Sequence, residues 1–434
     1  MANKVLNILC LPQEKNKTWK QAIFTLEFWV LLPVVVLTSG CLNGVLYGRA
    51  SDDVILYSMH SSSLNFIRQL MLLPFYFYAI FYLARKICTT FYIIKNNLLL
   101  TFSFLLIFFS FYWSLEPWES LRRGLNLLCS TSFGLYLAVK YSPLKLIILL
   151  SYCLLMICFF TFAVVLLDPV IAIHHDEHFP ALRAYFIQKN SLGMVMGLAS
   201  IVALVLGSTG SSRKLALCLF LVAFPLAVCS LSRTTWINMA VMTSTFFSLL
   251  FWRKHKKIGT ILFLLIFFIL GSAVSLIGLN EIILSIGSTL DRNVSTLTGR
   301  TLIWEGVLDA LSGDRFWFGY GYSSFWSSMK GALGRNWGVC GTPMHAHNGW
   351  LQTMTDIGFV GAVLMCFVML ISFVKTFQFA STNSDPRCAF GFIFIVFMMI
   401  QSISETVFFI PDNLFWILFV YFAYYNADVF KTKS

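Results

Sequence analysis

Arg233, Arg300 and His347 carry the chemistry that this sequence suggests most directly. Arg233 stands in Ser230-Leu231-Ser232-Arg233-Thr234-Thr235-Trp236, between two apolar blocks. An isolated cation at a membrane edge is unfavourable without a partner, so it reads as an anion ligand; the alternative is a side chain snorkelling to outer headgroups. Arg300, in Leu297-Thr298-Gly299-Arg300-Thr301, opens a segment of helical spacing with Thr298 at the N-cap position. A guanidinium beside the free N–H groups of a helix start suits a phosphate, and a surface pair with Glu305 or Asp291 is the plainer alternative. His347 lies in Pro343-Met344-His345-Ala346-His347-Asn348-Gly349-Trp350. An imidazole there can take a proton from a hydroxyl near neutral pH. His345 and His347 together could instead hold a metal, but no Asp, Glu or Cys completes a ligand pattern nearby, so the expectation is a site without metal or cofactor. The bland alternative has His347 and Asn348 merely capping the next helix.

Further cations fall in the same class of position. Arg122 and Arg123 follow Glu119 in Trp113-Ser114-Leu115-Glu116-Pro117 through Gly124, where they either join an anion pocket or pair with Glu116 and Glu119. Lys189 opens another block in Gln188-Lys189-Asn190-Ser191-Leu192-Gly193. His174, His175, Asp176 and His178 resemble a metal cluster by composition, but adjacent His residues on a loop read as solvated.

These residues need elements to hold them, and composition says which. The chain has 434 residues, 58% hydrophobic and 12% charged, with mean hydropathy +0.78. A soluble domain carries about twice that charged share, so a soluble globular enzyme is excluded. Apolar blocks near the roughly 20 residues that cross a bilayer predict an all-α polytopic membrane protein. Candidate spans are 23–41, 66–83, 97–113, 124–139, 146–167, 190–209, 215–231, 236–252, 259–279, 348–374, 389–407 and 413–427, about twelve helices, the first retained rather than cleaved. The net charge of +12 could signal nucleic acid, but the basic residues cluster between apolar blocks, where topology signals belong. Nucleic acid is therefore set aside and the lipid bilayer taken as the partner.

With both termini inside, the inner segments hold most of the 31 Lys and Arg, including Arg253-Lys254-His255-Lys256-Lys257, and almost no acid. The whole chain, 1–434, then reads as a single integral membrane domain with one long outer loop, 280–347, carrying short helices and a Gly-hinged stretch, Phe318-Gly319-Tyr320-Gly321-Tyr322, that lies on the membrane. Arg122, Arg123, Lys189, Arg233, Arg300 and His347 all fall on the outer side at one depth. Several cations and a base there fit a lipid-linked phosphate or diphosphate.

In these ordered segments, from Trp113-Ser114 through His345-Ala346-His347-Asn348-Gly349-Trp350-Leu351 to Gly358, the chain resembles the O-antigen ligase and polymerase superfamily, including exopolysaccharide polymerases. The ending Ser404-Glu405 through Asn413-Leu414-Phe415-Trp416 leans toward the exopolysaccharide branch. The resemblance implies a glycosyltransferase on the periplasmic face of the bacterial inner membrane. It would move a glycan from a polyprenyl diphosphate carrier to a hydroxyl of lipid A-core or of a lipid-linked repeat, with inversion. It also implies that Arg233 and Arg300 bind the diphosphate and His347 meets the acceptor hydroxyl. From their residue types and common level, Arg122, Arg123, Lys189, His345 and Asn348 are expected to line the substrates. The competing expectation is a flippase for lipid-linked saccharide, which should carry internal repeats and helices broken near mid-membrane; no repeat is found.

Overall fold

The computed structural model describes residues 25–46, 54–174, 179–256, 300–327 and 345–425. Among these residues the architecture is all-α, with one isolated antiparallel bridge between Ile173 and Leu182. Besides two single-turn helices at Asn43–Leu46 and Pro169–Ala172, the helices are α1 (Leu26–Ser39), α2 (Val54–Arg85), α3 (Ile87–Ile94), α4 (Leu98–Phe109), α5 (Pro117–Lys140), α6 (Pro143–Leu167), α7 (Lys189–Gly207), α8 (Arg213–Cys229) and α9 (Arg233–Lys254). After the undescribed stretch come α10 (Arg300–Ala310), α11 (Asp314–Phe318), α12 (Ser324–Ser327), α13 (Gly349–Thr382), α14 (Phe390–Ser404) and α15 (Leu414–Tyr424).

Every expected span except 259–279, which lies outside the described residues, falls on a helix. Six helical stretches among the described residues are long and apolar enough to cross a membrane: Phe66–Arg85, Ile87–Tyr112, Pro143–Leu167, Lys189–Gly207, Gly349–Thr382 and Pro386–Ser404. The rest are shorter or more polar. The connection expected around residues 84–96 is itself helical, since α3 runs on through a 3-10 turn at Lys95–Asn97 into α4.

The helix ends follow local chemistry. Pro117 and Pro143 occupy the first turns of α5 and α6, where a missing N–H does no harm. Asn413 caps α15 by accepting from the N–H groups of Phe415 and Trp416. That helix is apolar on every side and all its residues are buried, the signature of a core element. Its eleven residues rise only about 16 Å, well short of a bilayer. It packs against α5 and α14 at the centre of the bundle, where Trp416 Nε1 donates to Thr131 Oγ1 on α5.

The two ends of the bundle differ. At the far end of α5, Lys140 lies 5.2 Å from the Tyr82 ring centroid and 5.4 Å from that of Tyr136, and Lys145 pairs with Glu27 at 2.6 Å. At the other end are the starts of α5, α7, α9, α10 and α13 and the finish of α14, and these hold the candidate residues.

Candidate functional site

Glu405 organises the polar cluster. It follows the last turn of α14, and its side chain is 12% exposed. Its Oε1 accepts from Arg300 Nη2 at 2.9 Å and from Asn190 Nδ2 at 2.9 Å. Arg300 also donates from Nη1 to the Ser404 carbonyl at 2.6 Å, so its guanidinium grips the exit of α14 by side chain and main chain together. Asn190 in turn accepts from Ser232 Oγ at 2.9 Å. Ser232 is the N-cap of α9 and accepts from the Thr235 N–H, which fixes the residue after it, Arg233, as the first of the helix. The N-terminal ends of α7, α9 and α10 thus meet around one carboxylate, and helix dipoles add to the positive potential there. The close approach of α7 to α9 depends on Gly193, because a Cβ at that position would collide with Thr235 Oγ1.

His347 completes the cluster from the start of α13. Its Nδ1 lies 3.5 Å from Glu405 Oε2. No hydrogen bond closes at that separation, since Nδ1 is a buried nitrogen without an aligned partner, so the contact is one of charge when the ring is protonated. His347 adopts φ +47, a left-handed backbone that few side chains take without strain. That turn puts its N–H 3.3 Å from His345 Nδ1 and the two rings 4.0 Å apart. An Nδ1 that accepts leaves the proton of neutral His345 on Nε2. Burial, and then the neighbouring His347, push His345 down to about 4, so it is neutral across the physiological range. Burial would raise Glu405, but the contact with His347 and the charge of Arg300 hold it down to about 2.

The segment 345–347 is held from two other directions. Trp304 on α10 donates from Nε1 to the Ala346 carbonyl, and Gln352 Oε1 accepts from the Ala346 N–H. Gln352 also accepts from Trp326 Nε1 and donates to Asp356, so it joins the histidine turn to the next structure along α13.

That structure is a clamp at a break in α13. Ile357 and Gly358 leave helical geometry, Gly358 with φ +72, and the carbonyls of Thr355 and Asp356 are released from the helix. They accept from the N–H groups of Tyr320 and Gly321 at 2.8 and 3.1 Å. Asp356 Oδ1 accepts from the Ser323 N–H, and the Tyr320 carbonyl accepts from Leu115 N–H. The contact is main chain on main chain, and a Cβ on Gly358 would collide with the Trp317 carbonyl. The run 318–322, expected to hinge on the membrane surface, is therefore wedged between α13 and the start of α5. Its glycines are needed for closeness and for positive φ rather than for motion.

The expected residues divide between these two places. Arg300, His345 and His347 come together at Glu405, and Arg233 stands one residue from Ser232 in the same network. Arg300 pairs with Glu405 rather than with Glu305; Asp291 and Thr298 lie outside the described residues. Asn348 acts as the cap, its Oδ1 accepting from Trp350 and Leu351 N–H and its Nδ2 donating to the Ile403 carbonyl. Lys189 opens α7 one residue before Asn190, and its N–H donates to His174 Nε2 at 3.2 Å. His174 is buried, not solvated as expected, because it serves this helix start; 175–178 lie outside the described residues.

Arg122 and Arg123 sit at the clamp and pair with Glu119 at 2.8 and 2.5 Å, as the i, i+3 and i, i+4 spacing on one helix face allows. Arg123 also donates to Ser323 Oγ at 2.7 Å. Among the described residues Arg233 is an exposed cation with no hydrogen bond or ion pair. No group of three or more His, Cys, Asp or Glu among them is arranged to hold a metal ion.

Glu405 and Asn190 were missed as site residues on chemical grounds. Glu405 left one signal, as the one carboxylate between Asp385 and Asp412. Of the long loop, only 300–327 and 345–347 are described, and they supply α10, α11, α12 and the clamp.

A family profile described as O-antigen ligase matches residues 216–366. No curated protein matches the chain. The matched stretch takes in Arg233, Arg300, His345, His347, Asn348 and the break at Gly358. It supports the O-antigen ligase and polymerase superfamily, a family of membrane glycan ligases and polymerases, and with it a glycosyl-transferring enzyme.

Proposed function

We propose that this protein transfers a glycan from a polyprenyl diphosphate carrier to an acceptor hydroxyl, at the end of the bundle where Glu405 gathers Arg300, Asn190 and His347. The observation that carries this reading is the pairing of an ordered acid–base couple with a cation left open beside it. His347 stands 3.5 Å from Glu405, and Arg233 is exposed one residue from the Ser232–Asn190 link.

In this reading His347 turns Nδ1 to Glu405 and keeps Nε2 for the acceptor hydroxyl. As the acceptor oxygen attacks the anomeric carbon, its proton passes to Nε2, and the Glu405 carboxylate stabilises the imidazolium. The bond from the anomeric carbon to the diphosphate oxygen breaks, and the electron pair leaves on the polyprenyl diphosphate. Arg233 faces that developing charge, with the remaining N–H donors of Arg300 behind it, in place of a metal ion. Attack opposite the leaving group inverts the anomeric centre. Arg122, Arg123, Lys189 and His345 are second-rank participants here, since their described contacts go to protein groups or stand outside the cluster. The setting is the bacterial inner membrane, with about twelve spans, both termini cytoplasmic and the cluster facing the periplasm.

Flipping of lipid-linked saccharide is less well supported. The break in α13 is of the kind transporters use, but here main chain of residues 319–321 fills it and leaves no room for a substrate.

The test is transfer by purified protein given a polyprenyl-diphosphate glycan, in parallel with lipid A-core and with a second lipid-linked repeat. A product on lipid A-core makes it a ligase, and a ladder on the repeat makes it a polymerase. No product with either, from folded protein, overturns the reading.

A further inference from the structure

Two helices bring the proposed site together, and they must be held in step. The last turn of α14 places most of it. The carbonyls of Gln401, Ile403 and Ser404 accept from the Glu405 N–H, Asn348 Nδ2 and Arg300 Nη1. Glu405, Arg300 and His347, which directly precedes Asn348, therefore all stand where the end of α14 puts them. Arg233 arrives separately, as the first residue of α9. One link between the two helices runs through the cluster itself, from Ser232 by way of Asn190 to Glu405.

A second link lies further along both helices. Asn238 on α9 donates from Nδ2 to Oε1 of Gln401 on α14. The two residues are 2% and 1% exposed, on helices that pack along one another. Asn238 stands about 7 Å along α9 from Arg233 and about 140° round it, away from the side on which that cation is exposed. Gln401 is one turn before Glu405 and is bonded to it through the main chain at 2.9 Å. Among the described residues, Asn238 Oδ1 and Gln401 Nε2 have no hydrogen-bond partner, so each buried amide satisfies only part of its groups. Such a pair adds little to stability over two apolar side chains of the same shape. It does specify register, because sliding or turning either helix by one residue separates the amides.

We infer that Asn238 and Gln401 are positioning residues, whose bond fixes α9 against α14 and so sets the distance from Arg233 to the His347–Glu405 couple. The inference rests on the transfer reading above, in which Arg233 faces the leaving diphosphate and His347 the acceptor hydroxyl. The link through Asn190 is made of groups that substrate would engage and redirect. The link at Asn238 is sealed from substrate and holds the two ends of the reaction at one spacing throughout.

The experiment uses the full chain and reads its thermal midpoint in detergent, its kcat and KM in the transfer assay, and the distance between two spin labels. The labels are carried as non-natural residues at the exposed positions Phe247 on α9 and Ile403 on α14. Asn238→Leu or Gln401→Met alone strands one amide and should lower the midpoint. The double variant removes both amides and should regain the midpoint, yet its kcat should stay about tenfold or more below wild type with KM for the donor little changed, and the label distance should shift or broaden. Asn238→Gln combined with Gln401→Asn rebuilds the amide pair and should return both kcat and the wild-type distance. A double apolar variant with wild-type kcat and distance overturns the inference, as does a fall in kcat at an unchanged distance. If the apolar variants do not fold, the exchanged pair decides, since a wild-type distance there supports the inference and a displaced one overturns it. Distances that follow this pattern in a chain that transfers nothing leave the positioning role standing and remove the transferase reading, and transfer with distances indifferent to the amides does the reverse.

Discussion

The cluster at Glu405 and the clamp at Gly358 share the first turns of α13, yet they are built from opposite materials. The cluster is side chain on side chain, with one carboxylate serving a guanidinium, an amide and an imidazole. The clamp is main chain on main chain, made possible where glycine removes the Cβ. Charged side chains can be redirected by a ligand, since each contact trades for another of similar strength. Interlocked backbone cannot be redirected without disassembly. The comparison indicates which region does chemistry and which holds it still, with Gln352 as the bond between them.

Several substitutions would break or sharpen this contrast. The largest effect is expected from Glu405→Ala, which leaves Arg300 buried without its counter-charge. A loss of about 3–5 kcal/mol is expected, read as a fall in thermal midpoint of the detergent-solubilised protein. A midpoint unchanged within error would remove Glu405 as the organiser. Arg233→Ala should do the reverse, keeping the midpoint while transfer falls by about 10²–10³-fold, the usual effect of removing one group that stabilises a leaving charge. Wild-type rates in that variant would place the chemistry elsewhere.

Gly358→Ala tests the clamp. The strained conformation and the collision with Trp317 should cost about 1–3 kcal/mol or more, seen as reduced accumulation in the membrane, while the folded fraction keeps its affinity for donor. A changed affinity with normal accumulation would mean that the clamp belongs to the site.

Acid should act on the cluster through two of its groups, each over its own range. Glu405 is held at about 2, against 4.5 when unperturbed, so its contribution is present above about pH 4.5 and is lost as pH falls toward 2. His345 is held at about 4, against 6.5, and prefers to stay neutral in the fold, so stability also declines from about pH 6.5 down to 4. His345→Gln should flatten the upper part of the acid-unfolding curve and Glu405→Gln the lower part. A curve that keeps its shape in both variants would detach these groups from stability. The smallest effect is expected from Asn348→Ala, which removes a helix cap worth about 1 kcal/mol. Its expected signature is a small drop in midpoint with the transfer rate nearly unchanged, and a large rate loss would return Asn348 to the substrate.

Much of this was legible in the chain itself. Composition and block length determined an all-α membrane bundle, because only helices satisfy their own backbone inside lipid. Spacing determined that Arg122 and Arg123 share a face with Glu119, and residue type determined that Arg233, Arg300 and His347 stand at helix starts. Other features were decided only by tertiary structure. Arg300 meets a carboxylate 105 positions away, and no local pattern tells which of several acids a buried guanidinium will find. His174 is buried because α7 needs a partner for its first N–H, a demand created by packing. The glycines of 319–321 looked like a hinge, since sequence records the absence of a Cβ but not whether that space is used for movement or for contact. Local physics set the helices and their ends, while the long-range pairing of charge and backbone, which depends on where those ends meet, was set by the fold.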